Sequence, residues 1–317
     1  MSRLRLGLVT PAFNQCQFLA DTVDSVLGQG LGDRLDYLVI NDGSTDATED
    51  VLRRYGRRLR WRSQDNAGQT PTINAGWRDV GGDVVGWLNS DDTLLPGAAS
   101  EALDFLDARP DVDIVYGRTV YTDAGGNRTA DAPRGEPFRY ATFVARCHNP
   151  IPQPSAFIRR RVLEHVGLLD EAFYYFMDWD YWLRAGLGHR IEHVPAVWST
   201  YRLHPQSKTV AGELRAAPEL AYAYQKFFAR QDLPSDIARL RRRAMAAMYF
   251  TMGGYRQRGG DPKGARRDAL QAVCKFPATL ATGFGARAFA YCTAGETAPY
   301  RAWRQRRQPR PQSASLP

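Results

Sequence analysis

The stretch Tyr37-Leu-Val-Ile-Asn-Asp-Gly-Ser-Thr-Asp46 decides the fold. Its apolar start, Tyr37 to Ile40, reads as a buried strand. Asn41-Asp42-Gly43-Ser44 are turn formers that close it. Thr45 to Tyr55 then reads as a helix, with Ser44 or Thr45 as its N-cap. The strand–turn–helix pattern continues on both sides. Upstream, Leu6–Thr10 is a strand that stops at Pro11, and Ala20–Leu27 has helical spacing. Downstream come a weak strand at Leu59–Arg62, a helix over Thr70–Val80 and a strand at Asp83–Leu88. That strand runs into Asn89-Ser-Asp-Asp92; a helix over Ala98–Leu106 and a strand over Val112–Tyr121 follow. Alternation of this kind, with fully apolar strands, predicts an α/β fold, a parallel sheet covered by helices on both faces. Such sheets bind ligands at the carboxyl ends of their strands. The site is therefore expected at Pro11–Asn14, Asp42–Ser44 and Asn89–Asp92.

Further along, the pattern loosens. Ala124–Pro137 reads as a loop, and Pro150, Pro152 and Pro154 punctuate the next segment. A short strand at Phe157-Ile158, a helix over Arg160–Val166, a helix over Asp178–Ala185 and an extended run over Ile191–Tyr201 follow. From Ala216 the chain is rich in Ala and Arg at helical spacing, and Gly253-Gly254 and Gly259-Gly260 are expected to break it into separate helices. Residues 304–317, rich in Gln, Arg, Pro and Ser, read as a disordered tail.

The 317 residues are 44% hydrophobic, enough for a real core, which excludes global disorder. The net charge of +8 is uneven. Residues 1–238 hold 26 basic and 31 acidic side chains, a net of −5, and residues 239–317 hold 16 and 3, a net of +13. A polyanion would thus meet the C-terminal part. Nucleic acid is disfavoured as that partner, because basic and aromatic residues do not interleave there. An anionic membrane surface facing 239–317 fits better. Cysteines 16, 147, 274 and 292 form no C-x-x-C pair, which predicts a reduced, cytoplasmic protein. No apolar stretch reaches the roughly 18–20 residues of a membrane span. The best, Phe276–Ala286, is short and holds Pro277, Gly283 and Gly285.

Several groups of residues suggest chemistry. Asp42, at a strand end, can accept hydrogen bonds from a base or ribose, although alone it is also an ordinary Asp-Gly turn. Asp91 and Asp92 are adjacent like charges that a divalent cation would reconcile; alone they also suit a helix N-terminus. Asp178 stands among aromatics that would raise its pKa and suit it to act as a base, or it is an N-cap. On the same helix Asp180 and Arg184 are spaced to pair. His204 is a candidate metal ligand or a structural histidine.

Taken in order, Thr10-Pro-Ala-Phe-Asn14, Asn41–Asp46, Asp65-Asn-Ala-Gly68 with Asn74-Ala-Gly76, Asn89–Asp92, Asp178-Trp-Asp180 and Tyr201-Arg-Leu-His204 form a recognisable series. It resembles family 2 glycosyltransferases, which use the GT-A fold and nucleotide-sugar donors, over about residues 4–210. The resemblance implies a GT-A domain at 1–210, its sheet Rossmann-like and mostly parallel, with a nucleotide-sugar half (1–120) and an acceptor half (121–210). A basic helical extension (211–303) and the tail (304–317) would follow. It implies that Pro11, Phe13, Asn14, Asp42, Asn66, Gly68, Asn74, Asn89 and Asp91 bind the nucleotide sugar. Asp178 would be the catalytic base; Asp91, Asp92 and His204 would hold Mn²⁺ or Mg²⁺. Gln153, Pro154, Ser155 and Trp179 would meet the acceptor. The donor would be a UDP-, dTDP- or GDP-sugar and the acceptor a glycan or lipid-linked hydroxyl, with inversion at the anomeric carbon. Such an enzyme of envelope polysaccharide synthesis would work in the cytoplasm, peripheral to the inner membrane face. Two positions depart from the family pattern: Asn89 replaces an Asp, and Met177 stands where a Glu commonly precedes the base. They keep open the alternative of an inactive nucleotide-sugar-binding protein of the same fold. A nucleotidyltransferase is disfavoured, because Thr10–Gln15 has no glycine to cradle phosphate.

Overall fold

The computed structural model describes residues 4–129, 134–208 and 213–295. They fall into two compact units. The first holds the described residues up to 128, 134–138 and 150–203; the second holds 129, 139–149 and those from 204 onward.

In chain order, the first unit starts with β1 (Leu6–Ala12), α1 (Cys16–Leu27), β2 (Leu35–Asp42), α2 (Thr48–Arg53), β3 (Arg60–Gln64) and α3 (Gln69–Asp79). Next come β4 (Val84–Trp87), β5 (Thr93–Leu94), α4 (Ala98–Ala108) and β6 (Ile114–Thr122). Helix α5 (Tyr140–Arg146) belongs to the second unit. The first resumes with β7 (Ala156–Arg159), α6 (Arg160–Val166), α7 (Met177–Ala185) and β8 (Ile191–Arg202). The eight strands form one sheet in the order β3-β2-β1-β4-β7-β6-β8-β5. The first four are parallel, with Thr10 opposite Val39 and Val9 opposite Trp87. This is half of a doubly wound sheet, and its carboxyl ends carry the loops at which a ligand site is expected. The sheet is mixed beyond that point: β7 is antiparallel to β4 and β6, and β5 to β8.

All seven residues of β1 are buried, because both faces of the strand are covered. On one face Leu6 and Leu8 join Leu19, Val23, Leu52 and Leu103 in a cluster beneath α1, α2 and α4. On the other, Val9 meets α3. A Cβ on Gly76 would lie 2.4 Å from Val9 Cγ1, so only glycine lets α3 settle this close to the sheet. Trp77, Trp87 and Trp182, all fully buried, extend that face; Trp77 and Trp87 meet edge to face at 5.4 Å. Burying each such ring contributes about 1.5–3 kcal/mol.

Helix α2 begins at Thr48, later than the sequence suggests. Neither Ser44 nor Thr45 caps it, since both are engaged with Asn14, and Asp46 Oδ1 accepts from the Thr48 N–H instead (3.0 Å). The second unit continues with α8 (Glu213–Phe228), α9 (Ser235–Ala238), α10 (Arg241–Arg258), α11 (Pro262–Lys275), a 3-10 turn (Pro277–Ala281) and α12 (Gly283–Ala294). Its core gathers Ala246, Phe250, Ala265, Ala269, Tyr291 and Cys292. Gly253-Gly254 does not break the helix: α10 runs through both. A Cβ on Gly253 would stand 2.7 Å from Cys292 Sγ and 3.2 Å from Ala265 O, so this glycine serves close helix packing. The break falls at Gly259-Gly260, where Gly260 takes φ +85°. Residues 304–317, expected to be disordered, lie outside the described residues.

Candidate active site

The loops at the ends of β1, β2 and β4 are bonded to one another. Asn14, at φ +52°, donates its N–H to Ser44 Oγ (3.0 Å) and accepts the Thr45 N–H at Oδ1 (2.8 Å). Beside it Phe13 is 48% exposed, an open ring at the strand end. Gln15 reaches the β4 end: its Oε1 accepts from Ser90 Oγ (2.8 Å) and its Nε2 lies 3.4 Å from Asp91 Oδ2. Pro11 is buried within β1.

Asp42 is buried and turned onto the chain itself. Its Oδ1 accepts from Gln64 Nε2 (2.8 Å) and the Ala67 N–H (2.9 Å), and its Oδ2 from the Gly68 N–H (2.9 Å). The carboxylate thus fixes the turn carrying Asn66 and Gly68, where Gly68 takes φ +92°. Asn74 is turned into the fold. It exchanges two hydrogen bonds with the Leu169 backbone (2.9 and 3.1 Å) and donates to Glu171 Oε1, pinning the segment ahead of α7.

After β4, Asn89 links three side chains. Its Oδ1 accepts from Gln69 Nε2 (2.6 Å), and its Nδ2 donates to Asp92 Oδ2 and Gln153 Oε1 (both 3.2 Å). Gln69 Oε1 is buried without a hydrogen-bond partner among the described residues. Asp92, expected beside Asp91 as a metal ligand, is committed to the fold instead. Its second oxygen accepts the Arg202 N–H (3.0 Å), and its backbone oxygen accepts from Thr22 Oγ1 (2.8 Å). Burial and the neighbouring Asp91 charge push the Asp92 carboxyl well above the usual range. Asp91 is half-buried and is the more open of the two. Among the described residues no cluster of three or more His, Cys, Asp or Glu could hold a metal unaided. His204 belongs to the second unit, where its Nδ1 lies 3.2 Å from Gln206 Oε1.

Asp178 lies in the first turn of α7, half-buried, with Oδ1 accepting the Trp179 N–H (2.8 Å). Desolvation raises its carboxyl above the usual range; the Trp179 amide and the Arg134 charge offset part of that. Met177 points inward, its Sδ 2.9 Å from Thr70 Oγ1, which also donates to Phe173 O (2.8 Å). The expected Asp180–Arg184 pair forms at 2.7 Å. Trp179 is buried edge-on against Phe176. Gln153, Pro154 and Ser155 form a 3-10 turn; Gln153 Nε2 donates to Trp87 O (2.7 Å), and the buried Ser155 hydroxyl donates to Gly117 O (2.8 Å). Of these three, only Gln153 touches the Asn89 group.

Sequence reading passed over Arg202, Gln15 and Gln69. Arg202 is buried and holds the Asp91–Asp92 turn: Nε donates to Asp91 O (3.0 Å), Nη1 to Ala124 O (3.0 Å) and Nη2 to Asp21 Oδ2 (2.8 Å). Its only signal was a cation inside Tyr201–His204.

The glycosyl transferase family 2 model matches residues 8–167. An uncharacterized glycosyltransferase of Rickettsia prowazekii is 24% identical over 56% of this chain and 58% of its own length. The minor teichoic acid biosynthesis protein GgaA of Bacillus subtilis is 24% identical over 54% of this chain and 41% of its own. The chain thus spans little more than half of the first relative. Among solved structures, a mannosyltransferase from Pyrobaculum calidifontis in complex with GDP-Man and Mn²⁺ superposes with TM-score 0.61 at 19% identity, over 96% of this chain and 84% of that one. S. aureus TarS 1–349 with UDP-GlcNAc gives 0.62 at 13%, over 95% and 92%. These likenesses show the GT-A fold. With half of its length matched by the family model and the strand-end loops assembled on that fold, the chain belongs to glycosyl transferase family 2.

Proposed function

We propose that this glycosyltransferase moves a sugar from a nucleoside diphosphate sugar to an acceptor hydroxyl in one inverting displacement, with Asp178 as base. One observation carries the reading: consecutive residues of α3 bond the turn after β4 and the segment that leads into α7. Gln69 bonds Asn89 at the end of β4, and Thr70 bonds Phe173 and touches Met177 beside Asp178. In this reading the first turn of α3 links the Asn89 turn, on the donor side, to the residue that precedes the base. Asp178, desolvated but half-open, suits proton abstraction from a hydroxyl. Proton removal as the hydroxyl attacks the anomeric carbon leaves the diphosphate to depart from the opposite face, which inverts the centre.

Asp91 fits a divalent cation better than Asp92, because such ions commonly take one or two carboxylates plus phosphate oxygens. When bound, the cation draws charge from the departing diphosphate. Phe13, Asn14 and Asn66 border the nucleotide in this reading, Asp42 keeps the turn beneath it, and Gln153 stands toward the acceptor. The Mn²⁺ complex of the Pyrobaculum neighbour supports the metal, and the GDP-Man and UDP-GlcNAc complexes support a nucleotide-sugar donor. The teichoic acid relative supports an envelope glycan or lipid-linked acceptor. No described helix is long and apolar enough to cross a membrane; we read the basic residues after 239 as facing an anionic membrane surface. The test is a thermal-shift screen of UDP-, dTDP- and GDP-sugars with Mn²⁺, followed by assignment of the product anomer. A Tm rise with one nucleotide class and an inverted product are expected. A retained anomer would overturn the mechanism.

A further inference from the structure

Three arginines from three different helices of the second unit line one cavity of about 540 Å³. Arg146 ends α5, Arg243 lies in the first turn of α10, and Arg287 lies in α12. No Asp or Glu is among the described residues that line it. Ala247 and Phe276 give it apolar lining; Thr279 and Thr282 also line it, the Thr282 hydroxyl being bonded to Thr279 O and the Gly285 N–H. A Cβ on Gly283 would come 3.1 Å from Arg287 Nη1, so the glycine leaves the guanidinium its place at the rim. At the same rim Phe284 is 49% exposed, and Leu280, in the adjoining 3-10 turn, is 39% exposed.

Three guanidinium groups facing one cavity make it attractive to an anion. Guanidinium forks match phosphate oxygens in geometry as well as charge. The volume falls within the roughly 300–1,000 Å³ of ligand sites. An exposed aromatic and a leucine beside a phosphate-binding cavity suit the boundary between headgroups and acyl chains. We propose that this cavity takes the phosphate-bearing headgroup of an anionic phospholipid, with Phe284 and Leu280 against the acyl boundary. The proposal rests on the membrane reading above and narrows it from a general positive charge to one site.

The experiment is co-sedimentation of the full chain with phosphatidylcholine vesicles, with and without phosphatidylglycerol. Binding to the anionic vesicles alone is expected. The R146Q/R243Q/R287Q variant, all three side chains exposed at the surface, is expected to bind them about a hundredfold more weakly. R239Q/K263Q/R267Q removes the same charge away from the cavity and is expected to retain most of the binding. Phe284→Ser, at unchanged charge, is expected to weaken partition several-fold. Equal losses in the two triple variants would overturn the cavity and leave a diffuse membrane attraction standing. Failure of the parent chain to bind anionic vesicles would overturn both. Arginine-dependent binding of a short single-stranded oligonucleotide, with no vesicle binding, would assign the site to nucleic acid and end the proposal.

Discussion

The backbone N–H of Arg202 donates to Asp92 Oδ1 at 3.0 Å, tying the last residue of β8 to the turn after β4. The Arg202 guanidinium completes the tie at Asp91 O. Asp92→Ala would leave the Arg202 N–H without its acceptor and take from Asn89 Nδ2 one of its two, Gln153 Oε1 remaining. A buried N–H left without an acceptor costs about 1–3 kcal/mol. A fall in Tm is expected, together with weaker donor binding in Mn²⁺. Arg202→Met keeps the backbone bond but removes the three guanidinium bonds, and should lower both Tm and donor affinity. Calorimetric titration of the donor, paired with thermal melts, checks both.

Asp178→Asn is expected to lower turnover by about 10²–10⁴-fold while leaving donor affinity nearly unchanged. It should also raise Tm at neutral pH. The folded protein holds this carboxyl above its ordinary pKa, so folding stability falls as pH rises from the unfolded value through the raised folded one. The amide escapes that cost. Well below the unfolded value of about 3.9, where the carboxyl is protonated in both states, this part of the Tm difference should vanish. Near wild-type turnover in the variant would remove Asp178 from the mechanism.

The Arg134 charge lowers the Asp178 carboxyl, against the larger effect of burial. Arg134→Gln should therefore move the acidic limb of the kcat/KM profile to higher pH. A profile that stays in place, with activity otherwise intact, would mean that a different group titrates.

Asp91→Ala is expected to abolish the part of donor affinity that Mn²⁺ supplies. Parent and variant should then bind the donor alike in EDTA and differ in excess Mn²⁺. Identical donor binding by the parent in both conditions would count against a cation at Asp91.

Neighbouring glycines in α10 should respond in opposite directions. Gly253→Ala drives a methyl toward Cys292 Sγ and Ala265 O, and overpacking of this kind costs about 1–3 kcal/mol. At Gly254 a Cβ would meet only Arg258 Nη1, at 3.5 Å, so Gly254→Ala should add about 0.5–1 kcal/mol of helix stability. Urea titrations of the two variants decide this.

The apolar runs at Leu6–Thr10, Tyr37–Ile40 and Asp83–Leu88 announce the parallel half of the sheet, because strands buried on both faces have no polar alternation. Strand β5 is illegible: Thr93 and Leu94 are extended only because Thr200 and Ser199 pair with them. Gly253 is ambiguous in sequence for a related reason. A glycine marks either a break or a close approach, and only the partner helix tells which. Within the site, motif order locates residues without giving their direction. Asn74, Asp92 and Ser155 sit at motif positions yet turn into the fold. Gln15, Gln69 and Arg202 take their roles from partners far away in the chain, which local pattern does not encode.

Because Gln69 and Thr70 are consecutive, the Asn89 turn and the start of α7 are both referenced to a single peptide unit. A displacement of that unit carries both along, so their spacing does not accumulate the small errors of every strand between them. Alignment of the Asn89 turn with the start of α7 then depends on two side chains at one helix end rather than on the stiffness of the whole sheet.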